Sequence, residues 1–170
     1  MKVFKYFNLI LLIIFAQFIT SCSSNSSMKP EEFKDKKPRL IIEEYLAGEV
    51  KAWGILQNRS GKVTRQFSAI LNGKWDGTQL ILDETFNWDD GEVQKRQWKI
   101  NKINEHNYEG IANDVVGKAK GFSYGPAFKF EYVLLVPVKG KEIKITFDDW
   151  IFKQDDRVAI NRATMTKFGF

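Results

Sequence analysis

The sequence has 170 residues, with 26 lysines and arginines against 21 acids and a formal charge of +5 at pH 7. That length supports one domain with a real core and is short for two. So small a charge does not by itself point to nucleic acid, and a single cysteine excludes an intramolecular disulfide, so stability has to come from the core.

The chain opens with Lys2 and Lys5, continues through an apolar stretch from Phe7 to Ile19 broken by Asn8 and Gln17, and ends in small polar residues. This is the tripartite pattern of a secretory leader. A spanning helix needs about 20 clean apolar residues, more than this segment offers. Ile19-Thr20-Ser21-Cys22 resembles the lipobox of bacterial lipoproteins, which implies cleavage before Cys22, diacylglycerol on its sulfur and acylation of its freed amine. Each buried methylene contributes about 0.8 kcal/mol, so a single chain holds a protein only marginally whereas two or more hold it firmly. The membrane is therefore an expected partner through a lipid anchor. Ser23 after the lipidated position resembles outer-membrane sorting, so the expected address is the bacterial envelope, on the outer membrane facing the periplasm.

Three regions follow: a signal peptide at 1–21, a lipidated flexible tether at 22–38, and a β-barrel domain at 39–170. Removal of the leader leaves 149 residues and, with two lysines gone, a charge of +3. Export argues further against nucleic acid. Ser23 to Pro38 is polar and charged, the composition of a spacer.

From about Leu46 onward, runs of aromatic and β-branched residues are cut by Gly, Asp and Asn about every ten residues, the signature of an all-β fold. The pattern predicts strands near 48–58, 62–71, 78–88, 93–101, 107–113, 116–123, 127–137, 141–152 and 157–168. Asn58-Arg59-Ser60-Gly61, Asp76-Gly77, Asp90-Gly91 and Lys139-Gly140 supply tight turns. Alternation puts Phe128, Phe130, Tyr132, Leu134 and Val136 on one face. Likewise Ile143, Ile145 and Phe147 share a face of their strand, as do Leu80, Leu82, Phe86 and Trp88 of theirs, with Glu84 the odd polar member. About nine antiparallel strands on short turns fit an up-and-down barrel better than a sandwich, because closure removes edges.

No catalytic or cofactor motif emerges. The acidic pairs Asp83-Glu84, Asp89-Asp90, Asp148-Asp149 and Asp155-Asp156 lack the spacing of a calcium loop, and neighbouring strand residues face opposite sides, so turn formation or separate salt bridges explain them. His106, the single histidine, lies in a polar loop with no triad or metal partners. No metal and no cofactor are expected. Gly117, Gly121 and Gly125 read as bends or close backbone approaches, because Lys118 and Lys120 exclude a lipid-buried helix. Trp53, Phe86, Trp88, Phe128, Phe130 and Phe147 are candidates to line an apolar pocket or to fill the barrel. Arg65, Arg96, Asn161 and Arg162 interrupt β-patterned strands. An inward arginine needs a carboxylate, so Asp148, Asp149, Arg162, Arg96 and Asp83 form a candidate polar cluster.

Five segments carry a resemblance: Glu43 to Gly48, Asp83 to Gly91, Tyr108 to Gly117, Phe147 to Trp150, and Asn161 to Gly169. In this order they look like the bacterial lipoprotein family named only as domain of unknown function 3833. The resemblance implies an envelope lipoprotein with a lipocalin-like (calycin) barrel and brings no catalytic residues with it. Members of that family run on past the Lys-Phe-Gly motif into another apolar strand, whereas this sequence stops at Phe170, so an open seam beside the last strand is expected. Lipocalins place a Gly-x-Trp motif on the first strand, with its Trp packed on an arginine from near the last. Trp53-Gly54 has the order reversed, and Arg162 is the candidate partner, so contact between Trp53 and Arg162 is expected.

Three functions stay open: a lipid-anchored barrel that binds an apolar or amphipathic ligand such as a lipid or fatty acid, a structural or interaction lipoprotein with a filled barrel, and an enzyme using the Asp148, Asp149 and Arg162 cluster. The barrel interior discriminates among them.

Overall fold

The computed structural model describes residues 27–138 and 140–167. The expected signal peptide, Cys22 and the first part of the expected tether, residues 22–26, lie outside these residues. Among the described residues nine antiparallel strands follow one another: β1 (Gly48–Gln57), β2 (Val63–Trp75), β3 (Gln79–Trp88), β4 (Val93–Lys102), β5 (Asn107–Ile111), β6 (Ala119–Tyr124), β7 (Ala127–Val138), β8 (Lys141–Lys153) and β9 (Ala159–Thr166). Each pairs with its sequence neighbours, so β1 and β9 are the two edges of one sheet that curls into a half-barrel without closing.

The turn residues do what their chemistry allows. Asp76 Oδ1 accepts from the backbone N–H groups of Thr78 and Gln79, and Gly77 takes φ +102°. Asn58 Oδ1 closes the first hairpin on Ser60 N and Lys62 N in the same way. Asp155 caps the last turn through Arg157 N and Val158 N.

Alternation divides each strand between an inner and an outer face. The inner face carries Leu80 and Leu82 on β3, Trp98 and Ile100 on β4, Tyr108 on β5, and Phe128, Phe130, Tyr132 and Leu134 on β7. These residues are buried and form the core cluster together with Leu40, Ile42 and Leu46 from the segment before β1. A single-turn helix α1 (Ile42–Tyr45) thus plugs one end of the half-barrel. Its buried Glu43 is paired with Lys102 and accepts from Tyr108 Oη at 2.9 Å.

The tether boundary needs correction, because part of the segment assigned to it docks on the sheet. A 3-10 turn (Pro30–Phe33) lies against β6 and β7. Phe33 packs on the outer-face rings of Trp150 and Phe152, with centroids 6.0 and 5.5 Å away.

The opposite end of the half-barrel is thinner. Leu56, Phe67, Phe86 and Trp88 on β1–β3, and Ile143 and Ile145 on β8, face inward and are half-buried, yet none belongs to the core cluster or packs directly on it. The inner face is therefore filled beside the plug and open towards the 58–62, 89–92 and 140 turns.

Candidate functional site

The step from filled to open interior is marked by a band of polar groups. Glu84 sits on β3 between the core residue Leu82 and the half-buried Phe86, and faces Arg96 across the β3–β4 ladder. β4 pairs with β5 only over Lys99–Lys102, so Arg96 lies beyond the ladder, where Asp114 from the loop after β5 reaches it. Arg96 Nε donates to both Asp114 oxygens at 3.0 Å, and Nη2 donates to Oδ2 at 2.8 Å. This fork geometry consumes most of the guanidinium's donor capacity on that side. Glu84 Oε2 is left 3.7 Å from Arg96 Nη1, shielded from solvent and without a hydrogen-bond donor.

Asp149 comes from β8 and joins the same band from the far wall. Its oxygens accept from Tyr132 Oη at 3.2 Å and from the Asn161 amide on β9. Burial raises the pKa of Asp149, against the lowering pull of those two donors. Burial also drives Glu84 up to about 7; the charges of Asp149 and Asp114 push the same way, and Arg96 and the side chain of Trp98 oppose them. Arg96 is itself raised, because Asp114 and Glu84 outweigh the cost of its burial. Tyr132 stays protonated, raised first by burial and then by Asp149.

The open end above this band is aromatic. Phe67 meets Phe86 and Trp88 edge-on, with centroids 5.3 and 5.1 Å apart. Arg65 lies 4.0 Å above the Trp88 ring and is held by Asp90 at 2.7 Å and Glu92 at 2.9 Å. Trp88 Nε1 is buried there without an acceptor. Phe67 folds over Gly54, its partner across the ladder, where a Cβ would stand 2.4 Å from Cζ. Apart from that end, an open groove of about 790 Å³ runs along β3 and β4 past Glu84 and Arg96, with Lys95, Lys99, Ile111, Ala112 and Asn113 on its walls.

The sequence-derived candidates divide by strand parity. Arg96 and Asp149 face inward, in the polar band. Asp148 faces outward, 3.6 Å from Lys129. Asp83 faces outward and accepts from Gln97 at 2.8 Å. Arg162 lies on the outer face opposite Trp150. The expected five-member cluster is therefore not assembled: of its members only Arg96 and Asp149 share the inner face. Glu84, Asp114, Tyr132 and Asn161 complete the band instead. Glu84 had a sequence signal, as the polar member of an apolar face.

Among the pocket candidates, Phe86, Trp88 and Phe147 face inward and are half-buried, while Phe128 and Phe130 are buried in the core. Trp53 is a correction: it points outward from edge strand β1 and is 76% exposed. It does not meet Arg162, which stands on the opposite edge strand, so the expected lipocalin-type contact is not made. His106, expected in solvent, stacks on Tyr124 with centroids 4.2 Å apart, and its Nδ1 lies 2.9 Å from the Ser123 carbonyl. Among the described residues no group of three or more His, Cys, Asp or Glu is arranged to hold a metal ion.

Fold and band together define an open β-meander half-barrel with a polar floor beneath an apolar mouth. The chain matches the family described as "Protein of unknown function (DUF3833)" over residues 16–170 and belongs to that family. Neither a curated protein nor a solved structure matches it.

Proposed function

We propose that the protein is a lipid-anchored envelope lipoprotein, seated on the outer membrane, whose half-barrel binds an apolar or amphipathic ligand such as a lipid. The observation that carries the binding reading is the unfilled inner face: Leu56, Phe67, Phe86 and Trp88 on one wall and Ile143 and Ile145 on another are half-buried beside a packed core. Apolar area left in a concavity gains about 25 cal/mol per Å² when a ligand covers it. The anchor rests on Ile19-Thr20-Ser21-Cys22 and the outer-membrane address on Ser23.

Metabolic labelling with a palmitate analogue tests the anchor. Label is expected on the native chain and absent from Cys22→Ser; label retained on Cys22→Ser overturns the lipobox reading. For the ligand, organic extraction of the purified protein is expected to release an apolar molecule. An empty extract, together with no quenching of tryptophan emission by added amphiphiles, overturns it. A second reading, an interaction lipoprotein, draws on the rings of Trp98, Phe128 and Phe130, which fill the plugged half. Crosslinking in intact cells that recovers one protein in stoichiometric yield would favour it.

A further inference from the structure

The floor of the open end carries more carboxylates than its own cation can pair. Three carboxylates, Glu84, Asp114 and Asp149, share the single guanidinium of Arg96, and Asp114 takes both the Nε and Nη2 donors. Asp149 has only neutral donors, a phenol and an amide. Glu84 is 11% exposed, and its Oε2 has no hydrogen-bond donor, with Arg96 Nη1 at 3.7 Å. The carboxylates of Glu84 and Asp149 are not grouped at metal-binding spacing. Phe86 is the next inward residue on the strand of Glu84, and Trp88 and Phe67 continue the apolar wall away from it.

We propose that this floor takes a positively charged, hydrogen-donating head group, an ammonium, from an amphiphile whose hydrocarbon part lies along Phe67, Phe86 and Trp88. This inference rests on the binding reading above and narrows it. An ammonium brings the donor that Glu84 Oε2 lacks and the charge that Asp149 lacks. A carboxylate head, as on a fatty acid, adds a fourth anion to the band and meets repulsion where screening is weak. Burial also makes a proton the competitor of the ammonium at Glu84, which titrates at about 7. Glu84, Arg96, Asp114, Tyr132 and Asp149 are the charged and titratable groups around that exchange, from β3, β4, the 112–118 loop, β7 and β8.

The test uses the full chain carrying Cys22→Ser and three ten-carbon probes, decylamine, decanoate and decanol, each below its micelle or solubility limit. Binding is read from tryptophan emission and by calorimetry at pH 7.5. Decylamine is expected to bind at least tenfold tighter than decanoate. Glu84→Gln is expected to weaken decylamine about tenfold and leave decanol unchanged, and Asp149→Asn to act in the same direction. Near-UV circular dichroism identifies a variant that has lost its packing, and the other then carries the comparison. Decanoate binding as tightly as decylamine overturns the ammonium inference while the amphiphile reading stands. Decylamine binding unaffected by both substitutions overturns it as well. If none of the three probes binds, the amphiphile reading falls and the inference with it.

Discussion

Asp114 holds Arg96 by a fork, with Nε 3.0 Å and Nη2 2.8 Å from its oxygens, although the two residues belong to a loop and to a stretch of strand that has no ladder partner on that side. The pair thereby closes the gap between β4 and the loop ahead of β6. Breaking a partly buried pair by removing one member leaves the other desolvated. Asp114→Ala is expected to cost about 2 kcal/mol, and Arg96→Met, which deprives Glu84 as well, about 3 kcal/mol. Urea unfolding measures both. Losses no larger than that of the surface variant Lys95→Ala would mean that the fork contributes nothing to stability.

Stability is expected to fall as pH rises from about 4.5 to about 7. Glu84 titrates at about 7 in the folded chain against an ordinary 4.5, so between those values the native state holds a proton that the unfolded state has released. The contribution is full below 4.5 and is lost as pH rises through 7, amounting to at most about 3 kcal/mol. Asp149, also raised, adds a change of the same sign. On the acid side, Glu43, Asp76, Asp90 and Asp155 are held below their ordinary values, so their contribution is lost as pH falls. Melting temperature against pH should peak near pH 5, and Glu84→Gln should flatten the limb between 4.5 and 7. An unchanged limb in that variant would assign the proton to another group.

The strands were legible because Asp76-Gly77, Asp90-Gly91 and Asn58 to Gly61 punctuate strong β patterns, and local turn chemistry governs those positions. Asp149 and Glu84 were half legible. Parity from Ile143, Ile145 and Phe147 places Asp149 inward, and Glu84 breaks an apolar face, but parity says nothing of which strand lies across the interior. Asp114 was hidden in a loop whose partner is 18 residues away. Trp53 misled because β1 carries apolar residues on both faces, Val50, Ala52 and Leu56 inward, Trp53 and Ile55 outward, so alternation cannot choose between them. Phe33 was masked by the polar residues around it, since composition averages away a single ring that finds a site on the distant β8.

Two glycines of the inner face should respond differently to the same added methyl. A Cβ on Gly121 would stand 2.8 Å from Tyr108 Cβ and 2.9 Å from Phe128 Cζ, both in the packed core. The three atoms nearest a Cβ on Gly54 all belong to the ring of Phe67, which is half-buried at the open end, outside the core cluster. Overpacking costs most where neighbours cannot yield. Gly121→Ala is therefore expected to lose about 2 kcal/mol and Gly54→Ala less than about 1 kcal/mol. Thermal melts of the two variants check the order, and a larger loss at Gly54 would mean that the open wall is as rigid as the core.

Phe33 fixes where the chain leaves the sheet. Its ring rests on Trp150 and Phe152, Lys36 Nζ lies 4.7 Å above it, and its carbonyl occupies the space over Gly125, where a Cβ would come within 2.0 Å. Gly125 also has φ +52°, a region that side-chain-bearing residues avoid. Leu40 N then bonds to Gly125 O at 2.8 Å and leads the chain into the plug. Phe33→Ala removes the ring but leaves the plug intact, so the loss should be local: faster amide exchange at Lys34 and Lys36, and red-shifted Trp150 emission. Gly125→Ala is expected to release the same segment by displacing the carbonyl, and to destabilise further through Leu40. If the anchor at Cys22 exists, releasing residues 27–38 adds roughly 3.5 Å of reach per residue to the tether. Unchanged exchange at Lys34 and Lys36 in both variants would show that contacts other than Phe33 hold the segment in place.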